Sequence, residues 1–150
     1  MNMPFLYQEK KYNSKVNGEL LLRHYLFGGW YLKIKAGEYY SGSYLEKMWL
    51  CVFKKLDLTK KPAEILVLGL GAGSVLKAIK KYWAKSKVIA VDYDPIIIEL
   101  AQQIYGANRA DCDISDELVF LKNRDKKFDL IVGNPPFIRY QYLPTIFQER

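Results

Sequence analysis

The sequence has little cysteine, with only Cys51 and Cys112 among its 150 residues. Each lies in an apolar or acidic stretch without a metal-ligating neighbour, which argues against a disulfide framework and against a cysteine-built metal centre. We therefore predict two reduced thiols, as is typical of a cytoplasmic protein, and no metal site.

Long apolar runs are also absent. No stretch approaches the roughly 20 apolar residues that a helix needs to cross a bilayer. The N-terminus, Met1-Asn2-Met3-Pro4-Phe5, lacks the charged and apolar regions of a signal peptide. The sequence therefore predicts no membrane partner.

Positive charge exceeds negative charge, with 23 basic and 16 acidic residues and a net charge of +7. Most of the excess falls in residues 1–61, whereas residues 62–150 are nearly balanced. A positive face can attract a polyanion such as nucleic acid, but it can also be an ordinary solvated surface. The lysines are scattered along the sequence rather than packed into a run, so charge alone leaves both interpretations open.

Residues 1–61 predict a small N-terminal unit of a β-hairpin and a helix. Residues 1–18 are polar and predict an irregular arm. Two apolar runs, residues 19–27 and 30–35, flank Gly28-Gly29, and this pattern is typical of a hairpin. Within the second run, apolar and polar residues alternate, which indicates a strand with one covered face.

An aromatic loop and a helix follow the hairpin. Tyr39, Tyr40 and Tyr44 surround Gly42, where they either cover the apolar face of the hairpin or flank a ligand pocket. Ser43 to Glu46 has the spacing of a capping box, which predicts a helix over residues 44–56. The apolar residues at helical spacing are Leu45, Trp49, Val52, Phe53 and Leu56.

From residue 62 onward, short apolar runs alternate with helical patterns. Strands are predicted at residues 65–68, 88–91 and 128–132, with a weaker one at residues 108–112. One helix is predicted to begin with Ser74 as its cap and a second with Asp94 as its cap, and a short third helix is predicted over residues 116–122. This succession predicts an α/β fold with a parallel sheet and right-handed crossovers in residues 62–150.

A glycine-rich turn follows the first of these strands. Gly69, Gly71 and Gly73 permit positive φ angles and let the backbone approach a ligand closely. Asp92 ends the next strand, about twenty residues further on, where a carboxylate can accept hydrogen bonds from both hydroxyls of a ribose. The alternative is a purely structural turn with Asp92 acting only as a cap, but the shared context favours a nucleoside site.

A second turn, Asn134-Pro135-Pro136-Phe137, follows the last predicted strand. The prolines fix the backbone, and the Asn amide oxygen and a proline carbonyl are two acceptors for an exocyclic –NH2 group. Phe137 offers a face on which a flat base can stack. A proline-rich loop that merely ends the strand is the alternative.

The glycine turn resembles motif I of the S-adenosylmethionine-dependent methyltransferases, and Val91-Asp92-Tyr93-Asp94-Pro95 resembles their second motif. The resemblance implies a Rossmann-like, class I methyltransferase fold that binds S-adenosylmethionine. It implies that Gly69, Gly71 and Gly73 lie against the methionine part and that Asp92 holds the ribose. Asp111 matches the acid that contacts the adenine edge, although Asp113 competes for this role.

The Asn134-Pro135-Pro136-Phe137 turn resembles the signature of amino-methyltransferases, above all the DNA adenine-N6 methyltransferases. The resemblance implies that these four residues are catalytic, with DNA as partner and adenine N6 as the methyl acceptor. The same four-residue core occurs in enzymes that methylate RNA bases or protein glutamine, so RNA and a small amine stay open as substrates.

The N-terminal unit is similar to that of the spermidine synthase family, which makes an aminopropyltransferase the runner-up. That family carries an essential Asp where this chain has Gly133-Asn134-Pro135-Pro136-Phe137. A third alternative is an inactive or binding-only fragment, because a sheet of this fold normally has seven strands and this one looks truncated. An exposed apolar sheet edge would then permit a homodimer.

Overall fold

The computed structural model describes residues 7–34, 39–105, 110–123 and 125–133. Four strands come first there, and helices and strands then alternate, in the order β1-β2-β3-β4-α1-β5-α2-β6-α3-β7-α4-β8. The strands are β1 (Tyr7–Ser14), β2 (Gly18–Tyr25), β3 (Gly29–Ile34), β4 (Tyr39–Ser41), β5 (Glu64–Leu68), β6 (Lys87–Asp92), β7 (Ala110–Ile114) and β8 (Leu130–Gly133). The helices are α1 (Ser43–Lys55), α2 (Ser74–Tyr82), α3 (Pro95–Tyr105) and α4 (Glu117–Lys122). None of these helices is long and apolar enough to span a membrane.

The first four strands form an antiparallel sheet in the order β1-β2-β3-β4. The predicted hairpin is confirmed as β2 and β3, although Tyr25 pairs with Gly29, so three residues rather than Gly-Gly alone connect the strands. The prediction of an irregular arm is wrong over residues 7–14, because β1 pairs with β2 along its whole length. Its side chains are mostly exposed, so no apolar alternation marks this edge strand in the sequence.

One face of the hairpin packs on the parallel half of the chain. Leu20, Leu22 and Leu32 are buried in a cluster with Ile97 and Leu100 of α3. The same cluster includes Ala72, which lies inside the glycine turn. Burial of leucine side chains stabilises this contact by about 1.5–3 kcal/mol each. The hairpin therefore fixes both α3 and the turn from one side.

The segment before α1 departs from the predicted aromatic loop and capping box. Tyr39–Ser41 is the short strand β4, and Tyr44 is 76 % exposed in α1, so Tyr44 covers no hairpin face. Gly42 is the N-cap and Ser43 the first helical residue, so the capping box is wrong. A side chain at Gly42 would lie 2.5 Å from the ring of Tyr31, which explains why the cap carries none.

Helix α1 is confirmed over nearly its predicted length. Phe53 is buried and Trp49 packs against the same core cluster, whereas Val52 and Leu56, predicted for the buried face, are exposed. The buried stripe of α1 is therefore narrower than its apolar residues suggest. The helix lies beside α2, to which Lys77 Nζ connects it through Glu46 Oε2 at 2.5 Å.

The predicted parallel sheet is confirmed, with the order β7-β6-β5-β8. Its central strands are buried on both faces, as their continuous apolar runs indicate. On one face Ile65, Val67 and Ala90 pack against α2 and Phe53. On the other face Leu66 and Ile89 pack against Phe120 of α4. The weak strand predicted at residues 108–112 is displaced by two residues toward the C-terminus, as β7 shows.

Candidate functional site

The register of the parallel sheet brings four strand ends to one edge. Leu68 pairs with Val91 on one side and with Gly133 on the other, and Asp92 pairs with Ile114. The turns that leave β5, β6 and β7 therefore open on the same edge, where β8 also ends. In open α/β sheets this carboxyl edge is where ligands bind.

The glycine turn leaves β5 in a conformation that only glycine adopts without strain. The φ angles of Gly69, Gly71 and Gly73 are 70°, 54° and 89°, all in the left-handed region. The Gly69 N–H donates to the Val91 carbonyl at 3.0 Å, which ties the turn to β6. The turn presents backbone rather than side chains to the edge, so it forms a cradle that a larger residue would fill.

Gly73 has a second role, in packing. A Cβ at this position would lie 3.3 Å from the Cβ of Ala101 and 3.3 Å from Cδ2 of Tyr105. The start of α2 therefore packs closely on α3. Gly73 is also the N-cap of α2, so Ser74, predicted as the cap, is instead its first residue.

The Ser74 hydroxyl has a structural function. It accepts a hydrogen bond from the Gly42 N–H at 3.1 Å and bonds to the Ser41 hydroxyl. Nearby, the Tyr105 hydroxyl donates to Glu46 Oε1 at 2.5 Å, and burial together with this carboxylate raises the pKa of Tyr105. The Ser74 bonds attach the start of α2 to the junction of β4 and α1, and the Tyr105 bond attaches the end of α3 to α1.

Asp92 lies directly below the turn and is only 8 % exposed. Its Oδ2 accepts from the Gly71 N–H at 3.2 Å and its Oδ1 from the Asp94 N–H at 3.1 Å. Burial raises the pKa of Asp92 to about 6, the two backbone hydrogen bonds oppose this shift, and the charges of Glu117 and Asp94 add to it. The structure therefore holds a poorly solvated carboxylate against the glycine cradle.

This shift predicts how stability depends on pH. The folded-state pKa of about 6 lies above the ordinary value of 3.8, so the folded protein binds more protons between these values than the unfolded chain. The contribution of Asp92 is then greatest below pH 3.8 and is lost as the pH rises to about 6. We expect the free energy of unfolding of the wild type to fall by about 2–3 kcal/mol, relative to Asp92→Asn, across this window.

Urea unfolding of both proteins at a series of pH values from 4 to 7.5 (about half-unit steps) measures this difference. Comparison with the variant removes the contributions of the other carboxyl groups. Parallel curves for the two proteins would show that Asp92 has an ordinary pKa.

Asp94 is completely buried and caps α3, as predicted, by accepting from the Ile96 N–H at 2.9 Å. Its other oxygen accepts from the Ser14 hydroxyl at 2.5 Å and from the Asn17 amide at 2.6 Å. The turn between β1 and β2 thus binds Asp94, which lies two residues after Asp92. No local pattern predicts this contact, because Ser14 and Asn17 lie 80 and 77 residues from Asp94.

The two acids considered for the adenine contact occupy different levels of β7. Asp111 pairs with Ile89 and is exposed, about 10 Å along the strand from the level of Asp92. Asp113 pairs with Val91 and is half-buried, one residue before that level. The adenine contact stays a prediction, and of the two positions only that of Asp113 is close to the edge.

The proposed catalytic turn lies outside the described residues. No contact of Asn134, Pro135, Pro136 or Phe137 can therefore be described. Gly133 is described, and it pairs with Leu68, the last residue before the glycine turn.

Glu117 is an acid at this edge that sequence reasoning missed. It is the first residue of α4, and its Oε1 lies 3.8 Å from where a Cβ of Gly69 would be. Its position in the turn after β7 was a usable signal, since that turn must open on the carboxyl edge. In the sequence it looked like an ordinary acid in the first turn of a helix, next to Asp116, whose side chain caps α4.

Cys51 and Cys112 are free thiols. Among the residues that the structure describes, no group of three or more His, Cys, Asp or Glu side chains could hold a metal ion.

Comparison with known proteins places this site in a family. The profile of the methyltransferase small domain matches residues 47–148. A polyamine aminopropyltransferase of Saccharolobus solfataricus is 35 % identical over 85 residues, covering 51 % of this chain and 28 % of that protein. A ribosomal RNA small subunit methyltransferase C of Actinobacillus pleuropneumoniae is 34 % identical over 88 residues, covering 59 % of this chain and 26 % of that protein. The chain thus spans about a quarter of the length of these relatives.

Among solved structures, the spermidine synthase of Thermotoga maritima superposes with a TM-score of 0.65 at 19 % identity, covering 85 % of this chain and 47 % of that one. This likeness shows the fold, which is Rossmann-like. The family match spans well over half of the sequence. The chain therefore belongs to the methyltransferase small domain family.

Proposed function

We propose that this chain is an S-adenosylmethionine-dependent methyltransferase that acts on an amino nitrogen, with adenine N6 in DNA as the acceptor. Family membership supports methyl transfer, and the cradle with its buried acid supports a nucleoside cofactor. The pairing of Gly133 with Leu68 supports the choice of an amino acceptor most directly. It means that the residue just before the Asn-Pro-Pro-Phe sequence lies beside the residue just before the glycine turn.

The cofactor is S-adenosylmethionine, which supplies a methyl group on a positively charged sulfur. Gly69, Gly71 and Gly73 leave room for its methionine part against the backbone. Each Asp92 oxygen already accepts one backbone N–H and has a lone pair left for a ribose hydroxyl. Asp92, the turn and the start of α2 thus hold the nucleoside from below.

The chain's own residues contribute by positioning the acceptor. The Asn134 amide oxygen and the Pro135 carbonyl accept hydrogen bonds from the –NH2 group and direct the nitrogen lone pair toward the methyl group. Pro136 stiffens the turn and Phe137 stacks on the base. Orientation of two bound reactants accounts for most of the rate enhancement in such a scheme.

Aminopropyl transfer is the second candidate. The likeness to spermidine synthase covers 85 % of the chain, including part of the N-terminal unit, and a relative of that kind shares 35 % identity. Against it, the residue after Gly133 is Asn134, which cannot act as the base that deprotonates an amine.

A labelled-cofactor experiment separates the two candidates. We expect methyl-labelled S-adenosylmethionine to transfer label to adenine in double-stranded DNA, with digestion to nucleosides identifying the product. Ribosomal RNA is incubated in parallel with the methyl-labelled cofactor. Putrescine is incubated with decarboxylated S-adenosylmethionine that carries its label in the aminopropyl group, because a methyl label would stay on the methylthioadenosine that leaves. Transfer from decarboxylated S-adenosylmethionine to putrescine, without label in any nucleic acid, would make the chain an aminopropyltransferase instead.

A further inference from the structure

A groove lies at the far end of α2 from the glycine turn. Its rim carries Lys54, Lys60, Lys61 and Lys81, and its floor includes Tyr82 and Trp83. Its volume is about 380 Å³, within the range of small-ligand pockets. We call this feature the lysine groove.

The fold gathers here the lysines that look scattered in the sequence. Helices α1 and α2 lie side by side and both end at the groove, with lysines in their last turns. The segment between α1 and β5 adds Lys60 and Lys61. Residues 54–87 hold nine lysines against Asp57 and Glu64, an excess of seven that equals the net charge of +7 of the whole chain, and four of the nine line the groove. The rest of the chain is neutral.

Helix dipoles explain only part of this pattern. Lysines in the last turn of a helix interact favourably with its C-terminal carbonyls, which suits Lys54 and Lys81. Lys60 and Lys61 lie outside the helices, so no such interaction explains them. In the described part of the chain, none of these four lysines forms an ion pair with a carboxylate. Their mutual repulsion would be relieved by a polyanion.

The floor of the groove indicates which polyanion fits. Tyr82 is half-buried, and Lys81 Nζ lies 5.8 Å from the centroid of its ring. Leu56 and Leu58 add partly exposed apolar surface beside the lysines. An apolar floor with an aromatic edge and a cationic rim suits a ligand that combines flat bases with phosphates. An acidic peptide would use the lysines but not the floor.

We infer that the lysine groove binds a single strand of nucleic acid, with the lysines on its phosphates and a base against the apolar floor. Helix α2 is nine residues long, so the groove lies about 13 Å from the glycine turn. Single-strand sites commonly extend over about 4–16 nucleotides, enough to reach from the groove to the carboxyl edge. Charge and shape alone support this binding of nucleic acid, which does not depend on methyl transfer.

The experiment measures fluorescence anisotropy of a labelled strand of about 20 nucleotides, DNA or RNA, between about 50 and 200 mM salt. The groove variant carries Lys60→Glu, Lys61→Glu and Lys81→Glu. The matched control carries Lys10→Glu, Lys11→Glu and Lys122→Glu, which changes the net charge equally at exposed positions of β1 and α4. Circular dichroism and thermal unfolding establish that both variants are folded.

We expect the groove variant to lose about tenfold or more in affinity and its salt slope to fall by about 2, because three phosphate contacts are removed at about 0.7 each. The control should stay within about threefold of the wild type. Equal losses in both variants would show attraction by net charge alone and overturn the assignment. Equal competition by poly-glutamate of the same charge would assign the groove to acidic polypeptides, and tighter binding of a duplex would exclude the single-strand mode.

Discussion

Replacement of Asn134 by alanine is expected to lower methyl transfer by about 100-fold or more while cofactor affinity stays nearly unchanged. The physical reason is that its amide oxygen is proposed to orient the acceptor nitrogen, whereas the glycine turn and Asp92 bind the cofactor. Loss of one positioning group at a reacting centre typically costs about 100- to 1000-fold in rate. The pairing of Gly133 with Leu68 places the preceding residue next to the cofactor cradle, which favours a direct role.

Single-turnover transfer of labelled methyl groups and calorimetric titration of S-adenosylmethionine measure the two quantities separately. Asn123→Ala is the matched control, because Asn123 lies exposed at the end of α4 and loses the same amide group. Full transfer activity in Asn134→Ala would remove this residue from the mechanism. An equal fall in cofactor affinity would instead assign Asn134 to the cofactor site.

The parallel half of the fold was predictable because its central strands, β5 and β6, are buried on both faces. Continuous apolar runs such as residues 65–68 and 88–91 have no other stable environment in a chain of this composition. Local signals were enough for two helices too: Asp94 caps α3 as predicted, and α4 lies within the predicted residues 116–122. Each of these signals acts within a few residues.

The errors occur where the structure depends on distant partners. Strand β1 is specified by its pairing with β2 rather than by its own exposed side chains. Ser43 and Ser74 had the composition of helix caps, yet their hydroxyls bind Tyr31 and the β4–α1 junction. Local chemistry favoured a cap in both cases, and tertiary contacts overrode it.

Which charged side chains come together on the surface was unpredictable for the same reason. Lys54, Lys60 and Lys61 are separated from Lys81 by β5 and most of α2, so their proximity follows only from the packing of α1 on α2. Glu117 likewise approaches Gly69 only because β7 and β5 end at the same edge. Sequence reasoning identified the residue types of the site but not the acids and bases that the topology adds to it.

Asp92→Asn is expected to weaken cofactor binding by about 100-fold without lowering stability at neutral pH. Both Asp92 oxygens accept backbone N–H groups, and both are proposed to accept ribose hydroxyls. An asparagine retains one acceptor and turns an NH2 group toward the N–H of Gly71 or Asp94. Hydrogen bonds to a charged acceptor contribute about 1.5–3 kcal/mol each, so loss of one or two corresponds to about 100-fold in affinity.

The free energy of unfolding should not fall in Asp92→Asn as cofactor affinity does. The reason is that the wild type keeps the Asp92 carboxylate buried, with its pKa raised to about 6. At neutral pH this group is ionised in a poorly solvated site, and the neutral amide removes that cost while losing one backbone hydrogen bond. Calorimetric titration and urea unfolding at pH 7.5 test the two expectations on the same samples. Asp111→Asn is the control, since Asp111 is exposed and about 10 Å from the level of Asp92. Unchanged binding in Asp92→Asn, with a loss in Asp111→Asn, would move the nucleoside site from the carboxyl edge to the middle of β7.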